Sequence, residues 1–175
     1  MRKLKNEELN RKTIDEFKKT VKIPVTIVLD NVRSALNVGS IFRIADAFLI
    51  KEVILCGITA SPPNKDIRKV ALGSTLSVNW KKYDETLDVI ADLKNKGFYI
   101  VGVEQTENST ELEKFNPSDL PIAIIFGHEV NGVSQKVIDQ CDEIVEIPQY
   151  GTKHSLNISV SAGITVWEIS KKLMN

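Results

Sequence analysis

Long apolar runs are missing from this 175-residue chain. Nothing in it approaches the ~18 consecutive apolar residues of a membrane-spanning helix, so no membrane anchor is expected. The first residues, MRKLKNEELNRK, are charged and hold no apolar stretch, so no signal peptide is expected there. Cysteine is scarce. Cys56 and Cys141 are far apart, and no CxxC or Cys/His cluster has metal-ligand spacing. The chain is therefore read as having neither a disulfide framework nor a metal site, with two buried free thiols in a reducing, cytoplasmic setting. No GxGxxG follows the apolar run Val25–Leu29, and there is no P-loop. A dinucleotide or NTP enzyme has no direct support. An excess of charge of either sign is also missing, since 23 Lys/Arg balance 23 Asp/Glu.

That balance hides an asymmetry. Residues 1–22 hold eight Lys/Arg against four Asp/Glu, and residues 61–82 hold five against one. Residues 83–150 hold four against fourteen. Such blocks suit either a basic face for nucleic acid with an acidic face turned away, or ordinary solvated surface. With 42% hydrophobic residues the length suits one domain. Residues 1–22 are expected as a short basic helical extension and residues 23–175 as the domain proper.

Apolar runs at 25–29, 53–56, 99–103, 122–126 and 144–147 read as strands. Helical spacing is expected over 7–19, 38–48, 65–72, 84–95, 134–140 and 156–172, with Asp84 as a plausible cap. Residues 59–83, apart from the short helix, read as irregular, and 105–119 as a polar loop. Strands alternating with helices predict an α/β fold, a mostly parallel sheet with helices on both faces.

Three segments pack polar residues just after an apolar strand. The first holds Asn37-x-Gly39, Arg43 and then Ala45-Asp46-Ala47-Phe48. The second holds Phe126-Gly127-x-Glu129 and then Gly132-Val133-Ser134. The third holds Ile147-Pro148, Gly151 and then Ser155-Leu156-Asn157-Ile158-Ser159-Val160. At the third, loop turns to helix, where free N–H groups and short polar side chains converge. In this order the three segments resemble the signature motifs of the SpoU (TrmH-type) family of RNA ribose 2′-O-methyltransferases. The resemblance runs from about Pro24 to about Leu173.

The resemblance implies methyl transfer from S-adenosylmethionine to a ribose 2′-hydroxyl of tRNA or rRNA, a C-terminal deep trefoil knot, and a homodimer. It assigns Arg43, Asn37, Glu129, Ser155 and Asn157 to the transfer site. Main-chain groups at Gly127, Ile147 and Leu156 would hold the cofactor, with Glu104 and Ser155 beside them. Arg43, Lys153, Arg11, Lys12, Arg68 and Lys69 are candidates for RNA contact. Plainer readings stand beside these. Asn37 suits a helix N-cap, Glu129 suits a tie between loops, and Arg43 suits a solvated or Asp46-paired arginine. His128 and His154 fall at variable positions of the motifs and are not favoured as bases. Trp80 and Trp167 suit the core better than a base-stacking platform. A closing helix apolar on more than one face also points to a partner subunit. A non-catalytic member of the same fold, and an unrelated α/β small-molecule binder, remain the alternatives.

Overall fold

A computed structural model describes residues 1–117 and 119–174. Ser118, within the expected polar loop, and Asn175, the end of the expected domain, lie outside the described residues. The chain opens with a 3-10 turn at Asn6–Leu9 and α1 at Ile14–Lys19. Then follow β1 (Ile23–Asp30), α2 (Ala35–Ala47), β2 (Ile50–Cys56), α3 (Lys65–Ala71), α4 (Ser74–Ser77), β3 (Asn79–Tyr83) and α5 (Thr86–Asn95). The second half is β4 (Tyr99–Val103), β5 (Thr110–Glu111), β6 (Ile122–Phe126), α6 (Gln135–Ile138), β7 (Glu143–Glu146) and α7 (Ile158–Met174).

The strands form one seven-stranded sheet in the order β3-β2-β1-β6-β4-β7-β5. Every pairing is parallel. Alternation along β1 sorts the core into two layers. Val25, Ile27 and Leu29 pack with Ile41 and Ala45 of α2 and Ala162 and Val166 of α7. Val28 faces the other way, with Val89, Ile90 and Leu93 of α5 and Val137 of α6. Both faces of the sheet are thus covered, and its central strands are apolar almost throughout.

The expected N-terminal helix is split. Asn10 adopts a left-handed conformation, φ 46°. The chain restarts at Thr13, whose side chain accepts from the Glu16 amide while Glu16 reaches back to the Thr13 amide. Two strands were not expected. In β3, Asn79, Lys81 and Lys82 are exposed at the sheet edge, so no apolar alternation marks it. β5 is only two residues long. Asp84 does not cap α5, which begins after Glu85. Gly39 proves to be a packing residue: a Cβ there would lie 2.8 Å from the Ile67 carbonyl oxygen, so α3 rests directly on α2. Cys56 is a buried free thiol, as expected, whereas the free thiol of Cys141 is only partly buried.

Candidate functional site

The C-terminal ends of parallel strands are where such sheets bind ligands. Here a cleft of about 520 Å³ opens beyond β4, β6 and β7. Its walls are residues 103–105, the turn 126–133, and the segment from Glu146 to Leu156, with Ile158 and Ser161 of α7. All five candidate cofactor residues, Glu104, Gly127, Ile147, Ser155 and Leu156, line it, as does Glu129. The lining holds three glutamates and no Lys or Arg.

Gly127 shapes the turn: a Cβ there would lie 2.2 Å from the main chain of Gly132. His128 and Gly132 exchange main-chain hydrogen bonds at 3.0 and 2.8 Å. His128 Nδ1 accepts from the amides of Val130 at 3.0 Å and Asn131 at 3.4 Å. The imidazole therefore braces the turn instead of standing free as a base. Glu104 closes it from the other side, its Oε2 accepting from the Val133 amide at 2.9 Å.

Glu129 leaves this turn and reaches the start of α2. Its carboxylate accepts from the amides of Arg33 at 2.9 Å and Ser34 at 2.8 Å, and from Asn37 Nδ2 at 2.9 Å. Partial burial alone would push the pKa of this carboxyl up. The donors from Arg33, Asn37 and Ser34 outweigh it and hold Glu129 below its ordinary value. Asn37 is not the N-cap of α2, because Ser34 takes that position and accepts from the Asn37 amide at 3.4 Å. The Asn37 side chain is left to its neighbours, and its Oδ1 accepts from Asn157 Nδ2 at 3.2 Å. Asn157 in turn starts α7, its Oδ1 accepting from the Ser159 amide at 2.9 Å. One chain of hydrogen bonds, Glu129–Asn37–Asn157, thus joins all three motif segments. Ser155, two residues before Asn157, is exposed at the cleft.

Arg43 lies elsewhere. It is exposed on α2 and lines a second cleft, of about 680 Å³, between the N-terminal segment, α2 and α4. Arg11 and Lys12 line the same cleft. The one acid lining it, Asp46, is held by a short hydrogen bond from Ser77 and is not paired with Arg43. Among the described residues Arg43 makes no hydrogen bond or ion pair. The other RNA candidates are dispersed, with Arg68 and Lys69 on α3 and Lys153 on the exposed loop before Ser155. Neither set lines the second cleft.

Trp167 departs from expectation. It is 57% exposed and meets Phe48 edge-on, ring centroids 5.9 Å apart. With Val160, Ile164 and Met174 it forms an exposed apolar stripe on α7, opposite buried Ile158, Ala162, Val166 and Ile169. Sequence reading also missed the Arg33 and Ser34 amides, main-chain groups that carry no side-chain signal. It missed Gln105 as well, which lines the first cleft. Among the described residues there is no cluster of metal-binding side chains, and no helix is long and apolar enough to cross a membrane.

Comparison with known proteins bears on this arrangement. The model of the SpoU rRNA Methylase family matches residues 9–167. A Staphylococcus saprophyticus protein assigned to the TrmH family of tRNA/rRNA methyltransferases is 31% identical over 151 residues, 86% of this chain and 60% of that protein. The chain therefore spans about three-fifths of that curated relative. The TrmH/SpoU tRNA modifying enzyme of A. aeolicus superposes with a TM-score of 0.79 at 27% identity, over 89% of this chain and 78% of that one. An AdoMet-bound rRNA methyltransferase from Sinorhizobium meliloti superposes with a TM-score of 0.81 at 25% identity, over 93% of this chain and 60% of that one.

Proposed function

The chain belongs to the SpoU rRNA methylase family, and from that premise we propose that it transfers a methyl group from S-adenosylmethionine to a ribose 2′-hydroxyl of tRNA or rRNA. The observation that carries this reading is the Glu129–Asn37–Asn157 chain of hydrogen bonds beside the acidic cleft.

The first cleft fits the cofactor by volume and charge. About 520 Å³ falls within the ~300–1,000 Å³ typical of small-molecule sites. Three glutamates and no Lys or Arg favour a cationic ligand and disfavour RNA phosphate. Glu104, Gly127, Ile147, Ser155 and Leu156 would hold the cofactor, largely through main-chain groups. When bound, S-adenosylmethionine supplies an electrophilic methyl group on a sulfonium that leaves as a neutral thioether.

The second cleft has the opposite charge. Arg11, Lys12 and Arg43 suit a phosphodiester, and Arg68, Lys69 and Lys153 would extend the basic path. Arg43 remains protonated at any working pH, so its role is electrostatic. It offsets the charge that builds on the ribose oxygen as the proton leaves to solvent. Ser155 and Asn157 position that hydroxyl, while Glu129 and Asn37 fix Asn157.

Because Arg43 does not line the cleft of its own subunit, the reading includes a homodimer in which Arg43 serves the partner's cleft. The exposed stripe Val160, Ile164, Trp167 and Met174 lies on a helix packed against α2, which carries Arg43. That supports a two-fold interface there. The expected knot belongs to the same proposal. Its support is that α7 returns to α2 and β1 after β7 has been laid between β4 and β5. Incubation with labelled S-adenosylmethionine and bulk tRNA or rRNA tests the reading. Label in the RNA supports it, and binding of the cofactor without transfer leaves a non-catalytic member of the fold.

A further inference from the structure

The loop 148–156 forms one lip of the acidic cleft, and it carries Ser155 and Leu156. Asn157 fixes its far end by starting α7. Between those ends, among the described residues, the loop makes a single hydrogen bond to the rest of the protein. Gln105 Nε2 donates to the His154 carbonyl oxygen at 2.8 Å. His154 O is an acceptor only, so the Gln105 amide must present its nitrogen.

Gln105 is itself held. The preceding residue, Glu104, accepts from the Gln105 amide at 2.8 Å with one oxygen and from the Val133 amide at 2.9 Å with the other. Two consecutive residues at the end of β4 therefore tie both lips of the cleft, the 126–133 turn through Glu104 and the 148–156 loop through Gln105. A loop with so few attachments opens at low free-energy cost. Removing one attachment out of one shifts that balance more than removing one of many.

We infer that Gln105 is a positioning residue for the cofactor cleft, acting through the His154 carbonyl to hold the 148–156 loop in the conformation that turns Ser155 and Leu156 toward the ligand. This rests on the reading of the cleft as the S-adenosylmethionine site. The donor is the critical property. Gln105→Glu keeps size and shape but sets a carboxylate against a carbonyl. Gln105→Met loses the N–H at similar length without adding charge to the cleft.

Two measurements separate the inference from the reading beneath it. The first is the rate of trypsin cleavage after Lys153 without cofactor, which reports the loop alone. The second is calorimetric binding of S-adenosylmethionine. Gln105→Glu is expected to speed cleavage about tenfold and to weaken binding about five- to twentyfold, with the thermal midpoint of the whole protein unchanged. Gln105→Met is expected to match Gln105→Glu in both, so that the change follows loss of the donor and not the added charge. Wild-type protein that binds no S-adenosylmethionine would overturn the cleft reading, and this inference with it. Wild-type binding with affinity unchanged in Gln105→Glu would overturn the inference alone, whether or not cleavage speeds up.

Discussion

The side-chain amides of Asn37 and Asn157, 120 residues apart in sequence, hydrogen-bond at 3.2 Å. Asn37 spends its own donor on Glu129 at 2.9 Å, so it has a distinct partner at each end. Asn37→Asp would remove the donor to Glu129 and set two carboxylates together. The expected cost is about 1–3 kcal/mol of folding stability, together with loss of methyl transfer. Urea denaturation and a transfer assay on the same preparation check both. Full activity in Asn37→Asp would show that the network only decorates the site.

Glu129 gives the network a pH dependence. Its carboxyl lies below the ordinary value of 4.5 because the donors from Arg33, Asn37 and Ser34 outweigh partial burial. A lowered carboxyl contributes stability that is fully present above its unfolded value. That contribution is lost as pH falls through the folded-state value, so the window lies below pH 4.5. Urea midpoints for wild type should fall through that range. Those for Glu129→Gln should start lower and fall less steeply. Parallel curves would contradict the assignment.

Arg43 has no hydrogen-bond or ion-pair partner among the described residues, so Arg43→Ala should leave the melting temperature and cofactor binding near wild type. Transfer should fall by roughly 10²–10⁴-fold. Arg43→Lys should also be poor, since a point charge does not replace a planar fork. If Arg43 serves the partner's cleft, mixing inactive Arg43→Ala with inactive Ser155→Ala should restore about a quarter of the activity. Half of the statistically formed dimers then carry one intact composite site. No recovery after verified subunit exchange would place Arg43 in its own subunit's site.

The exposed stripe on α7 predicts the assembly. Light scattering of wild type should give about twice the 19.6 kDa chain mass. Trp167→Glu and Ile164→Glu should lower the dimer fraction and transfer together. A monomer with full activity would refute the dimer requirement.

Much of this fold was legible in the sequence, and the reason is periodicity. The five strands expected from apolar runs all lie inside the sheet; β1, β2, β4 and β6 are largely buried, and β7 carries buried Val145 at its centre. β3 and β5 escaped because edge position and shortness remove that signal. The split at Asn10 was hidden because Leu9, Ile14 and Phe17 keep a helix-like spacing across it. At the site, motif order pointed to residues that line the two clefts or join one hydrogen-bond chain, but not to their distribution. Nothing in the spacing of Asn37 and Arg43 shows that one meets Glu129 while the other lines a different cleft. Gln105 was missed because a lone glutamine after a strand has no distinguishing pattern; only the distance to His154 reveals it.

The claim that the chain methylates ribose oxygen is tested most directly by where the methyl group lands. RNA labelled from methyl-tritiated S-adenosylmethionine should be hydrolysed with alkali, which needs a free 2′-hydroxyl at each cleaved linkage. The account predicts label in alkali-resistant dinucleotides, absent with Arg43→Ala protein. Label released wholly in mononucleotides would place the methyl group on a base and contradict it.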